Sequence, residues 1–161
     1  MCVKIRRMGG KFTVEAPYNA EFVKRAKLIR GRWDGRNKVW SFPEECADVV
    51  REVLRSVYGE DGSECARVNV RVDISGIDGE EITFCGWSIC RRIYRDSPVK
   101  MADGVALISG GFGVSGGSRA NPRCNPEPGT AVIIYGVPMP KAEEMEEAGA
   151  EIIQPAPEPA P

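Results

Sequence analysis

Two short motifs in this chain have the letters of catalytic or nucleotide-binding sites, and both lack what their chemistry requires. Gly111-Phe112-Gly113-Val114-Ser115-Gly116 fits G-x-G-x-x-G, a loop that must run into a helix whose N-terminus meets a pyrophosphate. Pro122, Pro126 and Pro128 forbid that helix. Gly113-Val114-Ser115-Gly116-Gly117 fits G-x-S-x-G, the elbow that presents a nucleophilic serine to a histidine base. The chain has no histidine, which removes the usual base of Ser and Cys hydrolases and the commonest zinc ligand. No Walker lysine follows the glycines. The six cysteines show no C-x-x-C spacing. Cys46 falls on an apolar helical face, and Cys85 and Cys90 in an apolar strand, where reduced cysteine acts as a small hydrophobe. These are expected to be thiols of a reducing compartment. The expectation is therefore no enzyme, no cofactor and no metal site. For the glycine-rich loop 109–123 two readings stay open. Ser115, Gly116, Gly117, Ser118, Arg119 and Asn121 could hold an anion or a partner's carboxylate, or the glycines could simply serve a flexible hairpin.

Charge points elsewhere. The net charge is −1, yet residues 1–42 hold eleven Lys/Arg against three Asp/Glu, a net +8, and residues 43–81 hold four against eleven, a net −7. Residues 82–126 carry +4 and residues 127–161 carry −6. A local excess of +8 attracts phosphate backbones. The bland alternative is that the acidic segments neutralise it.

The elements that must position these cations follow from periodicity. Lys11–Ala16 alternates as a half-buried strand and ends at Pro17. Asn19 suits a helix N-cap, with Glu21 in the first turn. Phe22, Val23, Ala26 and Ile29 form the apolar face of a helix over about 20–30, which leaves Lys24, Arg25 and Lys27 outward. Gly31 stops it. Arg32-Trp33 and Lys38-Val39-Trp40-Ser41-Phe42 read as two strands joined by a short turn through Asp34-Gly35-Arg36-Asn37. A second helix runs from Pro43 to Gly59, with Cys46, Val49, Val50, Val53, Leu54 and Val57 on one face. The order is β-α-β-β-α, two helices on one face of a three-stranded sheet. The expected core is Phe12, Val14, Phe22, Ile29, Val50, Val53 and Val57. If Lys38, Trp40 and Phe42 lie on the uncovered side, they offer aromatic platforms beside cations. If Trp40 and Phe42 are core, they do not.

Phe12-Thr13-Val14, Pro17-Tyr18-Asn19, the helix with Lys27 and Ile29, Arg32-Trp33-Asp34 and Lys38-Val39-Trp40-Ser41-Phe42 together resemble the HARP-type domain that accompanies annealing helicases. The resemblance covers about 50 residues (10–59), and no helicase motor is present. It implies recognition of forked or junction DNA, through Tyr18, Lys27, Arg32, Trp33, Lys38 and Trp40; the partner expected is DNA, single-stranded or forked in preference to plain duplex. Lys24, Arg30 and Arg36 join them on charge.

In the second half, Arg67–Ile74 alternates strictly. Ile82–Cys90, Val105–Ser109 and Thr130–Val137 give three more strands, which together suggest a small β-sandwich or barrel. Lys141–Glu151 suits a short acidic helix, and Gln154–Pro161 a solvated polyproline tail. The fold class expected is α+β, with a basic module at 1–60, a β domain at 61–140 and a tail region at 141–161. No apolar run is long enough to span a membrane, and no leader is seen, so the chain is expected in the cytoplasm. The function expected is a DNA-binding accessory protein of a phage or other mobile element. The alternative is a modulator of a host or phage enzyme, engaging a protein through the glycine-rich loop or the Pro-rich tail.

Overall fold

A computed structural model describes residues 3–153, which divide into two compact units between Ala66 and Arg67. The expected Pro-rich tail and Cys2 lie outside the described residues. The class is mixed α+β, with three α-helices and several antiparallel sheets.

The first unit contains β1 (Lys4–Met8), β2 (Lys11–Glu15), α1 (Ala20–Leu28), β3 (Arg32–Asp34), β4 (Val39–Pro43), a 3-10 turn (Glu44–Cys46) and α2 (Ala47–Tyr58). Its sheet has four strands in the order β1-β2-β4-β3, all antiparallel. The expected sheet of three is corrected by β1. That strand carries a single half-buried apolar residue, Ile5, so it shows no alternation to read. Its one local signal is Gly9-Gly10, both at positive φ (60° and 74°), the two-residue turn that joins it to β2.

Asn19 caps α1 as its type suggests, its Oδ1 accepting from the N–H groups of Glu21 (2.9 Å) and Phe22 (3.1 Å). The core collects Phe12 and Val14 of β2, Trp40 and Phe42 of β4, Phe22 and Ala26 of α1, and Ala47, Val50, Leu54, Val57 and Tyr58 of α2. Ile29 and Val53 are only partly buried beside it. Tyr58 donates its hydroxyl to the Pro17 carbonyl at 2.6 Å, which ties α2 to the loop before α1. Burial pushes that hydroxyl's pKa upward.

The hairpin differs from expectation at one residue. Lys38 stands in the turn and not in the strand, at φ 56°. The turn is organised by Asp34, whose Oδ1 accepts from the N–H groups of Arg36 and Asn37 and whose Oδ2 accepts from Asn37 Nδ2 at 2.7 Å. These bonds hold its carboxyl below the usual range, the Asn37 side chain contributing most.

The second unit contains β5 (Arg67–Asp73), β6 (Glu81–Phe84), β7 (Trp87–Arg91), β8 (Lys100–Met101), β9 (Val105–Ser109), β10 (Ala131–Pro138), α3 (Met139–Glu147) and β11 (Glu151–Ile153). They form a four-stranded sheet, β11-β5-β10-β9, and a three-stranded sheet, β6-β7-β8. Neither closes, so the barrel reading is corrected. Both sheets and α3 share one core, with Val70 and Ile134 from the larger sheet, Ile82 and Ile89 from the smaller, and Ala142 and Met145 from the helix.

The stretch 82–90 is not one strand. Cys85 (φ 48°) and Gly86 (φ 76°) make a two-residue turn, so Cys85 leaves the apolar strand in which it was placed. The acidic helix ends at Glu147, and Glu151 instead pairs with Arg71 at the edge of the larger sheet.

Candidate nucleic-acid interface

Register decides which side of the first sheet each residue occupies, because side chains alternate along a strand and directly paired residues share a face. Phe12 pairs with Phe42 and Val14 with Trp40, so those four face the helices. Trp33 pairs with Trp40 and therefore lies on the same side, the ring centroids 5.6 Å apart. Trp40 is 7% exposed and meets Phe22 edge-on at 6.2 Å, whereas Trp33, on the sheet's last strand, is 53% exposed. The expected aromatic platform on the uncovered side is thus corrected. Trp40 and Phe42 are core, and Lys38 shares no strand face with them.

What the uncovered side does present is cations and hydroxyls. Arg6 pairs with Thr13, Thr13 with Ser41 and Ser41 with Arg32, giving one row of side chains across all four strands. With strands spaced ~4.8 Å apart, Arg6 and Arg32 stand about 14 Å from each other at its ends. Lys4 and Lys11 sit two residues along on the same face of β1 and β2. Lys4, Arg6, Lys11 and Arg32 are exposed, and among the described residues none of them forms an ion pair. Glu15 and Asp34 are the acids on this face, and Asp34 is engaged by its turn.

At one end of the row lies a cleft of about 630 Å³, lined by Lys11, Arg30, Arg32 and Ser41 together with Gly31 and Phe42. Its geometry comes from the end of α1. The N–H of Gly31 bonds back to the Ala26 carbonyl at 2.8 Å, closing the helix in a Schellman turn that requires a left-handed residue at position 30. Glycine is usual there, but this chain has Arg30 at φ 62°. Glycine comes one residue later for a steric reason. A Cβ on Gly31 would stand 2.6 Å from the Ala26 oxygen and 2.7 Å from the Phe42 ring. Arg30 reaches Glu45 at 3.2 Å, an exposed pair that contributes little to stability.

The nine residues expected at a nucleic-acid site are therefore not brought together. Arg30 and Arg32 reach the cleft. Trp33 is on the helix side of the sheet, and Lys24 and Lys27 are exposed on α1, which packs on that same side. Arg36 and Lys38 are exposed in the hairpin turn, and Tyr18 is 83% exposed in the loop before α1. Lys4, Arg6 and Lys11 were missed as site residues. Charge counting had included them in the +8 segment, but only the pairing of β1 shows that they share a face with Arg32.

The glycine-rich loop of the second unit is a folded-back, internally bonded segment. Phe112 bridges Pro126 and Gly117 bridges Pro122. The N–H groups of Gly113, Gly116 and Ser118 donate to the carbonyls of Asn125, Arg95 and Asn121. The Ser115 carbonyl accepts from Asn125 Nδ2, and Ser118 Oγ accepts from the Asn121 N–H. Gly117 and Arg119 are exposed. Beneath the loop lies Arg92, 1% exposed, whose guanidinium donates to four carbonyls: Arg95 (3.1 Å), Val114 (3.2 Å), Gly113 (2.5 Å) and Cys124 (3.1 Å). The buried Cys90 thiol donates to Cys124 Sγ at 3.9 Å, and this contact together with burial pushes the Cys90 pKa up. Sequence spacing gave no sign of either arrangement, since the partners are 21 to 34 residues apart for all but the Arg95 contact.

Among the described residues, no cluster of three His, Cys, Asp or Glu could hold a metal ion, and no helix is long and apolar enough to cross a membrane. No family model, curated protein or solved structure matches this chain.

Proposed function

We propose that this chain is a non-enzymatic nucleic-acid-binding accessory protein that holds a DNA strand against the uncovered face of its first sheet. The observation that carries the reading is the set of four exposed cations, Lys4, Arg6, Lys11 and Arg32, unpaired among the described residues, around the Thr13–Ser41 hydroxyls. With no aromatic ring on that face, attraction to phosphates supplies the affinity and base stacking does not. Such binding is independent of sequence and sensitive to salt. A flat sheet face also lacks the protruding helix or ribbon that reads a duplex groove, which favours single-stranded or forked DNA. The likeness of residues 10–59 to the HARP-type domain supports the same preference.

The test is binding to single-stranded, forked and duplex DNA across a salt series. Four phosphate contacts to a single strand predict a slope of log K against log salt of about −3, and the double variant Arg6→Ala/Arg32→Ala should reduce its magnitude by about 1.4. Absence of salt-sensitive binding to every substrate would overturn the reading.

A second reading, a protein-binding modulator acting through the glycine-rich loop, is favoured by Val114. It is 97% exposed on a loop bonded to Arg92 from below. In the same assay Val114→Asp should leave DNA binding unchanged if the first reading holds.

A further inference from the structure

The cleft at the end of the sheet holds more positive charge than an internal backbone phosphate needs. Lys11 from β2, Arg30 from the α1–β3 loop and Arg32 from β3 line it together, with the Ser41 hydroxyl of β4 beside them. Among the described residues, the carboxylate paired with any of the three is Glu45, on Arg30, and the neighbouring Glu44 is engaged by Arg7 at 3.0 Å. Like charges brought to one small volume repel unless an anion joins them. A second observation points the same way. Arg30 adopts a left-handed conformation that glycine would take at lower cost, and strained positions of this kind cluster at ligand-binding sites when their side chain lines one.

An internal phosphodiester carries one negative charge, whereas a terminal phosphomonoester carries about −1.5 to −2 near neutral pH and offers three acceptor oxygens. Three cations lining one cleft suit the second. We propose that the cleft is a binding site for the terminal phosphate of a nucleic-acid strand, so that a strand lying on the sheet is held by its phosphorylated end. The inference rests on the nucleic-acid reading above.

The experiment compares one single-stranded oligonucleotide with a 5′-phosphate, with a 3′-phosphate and with hydroxyls at both ends, measured by fluorescence polarisation on the full chain. One phosphorylated form is expected to bind about tenfold more tightly than the hydroxyl form, and the arm that gains identifies the end recognised. Arg30→Gly removes one cation while supplying the residue the backbone prefers, so this variant should melt no lower than the parent and yet lose most of the preference. Arg32→Ala should lose it too. The preference should also shrink on going from pH 7 to pH 5, as the monoester takes up its second proton near a pKa of about 6. The chain has no histidine to titrate in that window. Equal affinity for all three oligonucleotides, or a preference that survives in Arg30→Gly, would overturn the terminal-phosphate site and leave the sheet-face reading standing. Failure of all three to bind would overturn both.

Discussion

Trp40→Ala is expected to destabilise the first unit by about 3–5 kcal/mol, as large-to-small changes at buried aromatic positions do, while Trp33→Ala costs about 1 kcal/mol or less. The two tryptophans are direct cross-strand partners on one face, so composition and local pattern do not separate them. Position in the sheet does. β4 is flanked by β2 and β3, and Trp40 is covered by Phe22 of α1, whereas β3 is the last strand and Trp33 is left 53% exposed. Urea titrations of the two variants check this through the shift in midpoint at constant slope. Similar costs at the two positions would mean that Trp33 is buried in solution. The result also governs how DNA-binding data are read, because a loss of binding in Trp40→Ala would report unfolding. Arg32 and Arg6, exposed and engaged in no ion pair among the described residues, are the informative positions.

The same distinction shows what was legible in the sequence. Helical periodicity, the Asn19 cap and the Gly59 stop are local signals, and they placed both helices of the first unit to within a few residues. Alternation likewise found β2 and β5. The strand β1 was missed because an edge strand packs little of itself, and Lys-Ile-Arg-Arg-Met buries only part of Ile5 and leaves Met8 exposed, so no alternation shows. That omission had the largest consequence for the site, since β1 supplies Lys4 and Arg6 and completes the row to Arg32. The motif Trp-Asp, turn, Lys-x-Trp-x-Phe was legible as a hairpin, but its residues mostly build that hairpin. Asp34 organises the turn, Lys38 takes a left-handed position within it, and Trp40 and Phe42 enter the core. Which face a strand presents depends on what packs against it, and a single strand's alternation is symmetric between its two sides.

Arg92→Met is expected to destabilise the second unit by about 3–5 kcal/mol, the cost of taking a charged donor away from several carbonyls at once, at about 1–3 kcal/mol for each left unsatisfied. Methionine fills most of the arginine stem's volume, so the loss comes mainly from the guanidinium. Without it the carbonyls of Gly113, Val114 and Cys124 lose their donor around a side chain that is almost fully enclosed, and that of Arg95 keeps only the Gly116 N–H. The wild-type arrangement is itself not optimal, because Arg92 Nε is buried without a hydrogen-bond partner among the described residues. That offsets part of the gain and keeps the expected cost below the full sum for the carbonyls. Arg92→Lys should recover little, since one ammonium cannot span the carbonyls that a planar fork reaches. The readout that separates this role from general core packing is local. Amide exchange at Gly113 and Gly116, whose N–H groups donate to Asn125 and Arg95, should accelerate in Arg92→Met by more than in a core variant of equal stability loss away from the loop, such as Met145→Ala in α3. Equal acceleration in the two would mean that the loop opens only with the whole unit. Selective acceleration would mean that Arg92 sets the order of the surface carrying Val114, and that any partner of that surface meets a preformed loop.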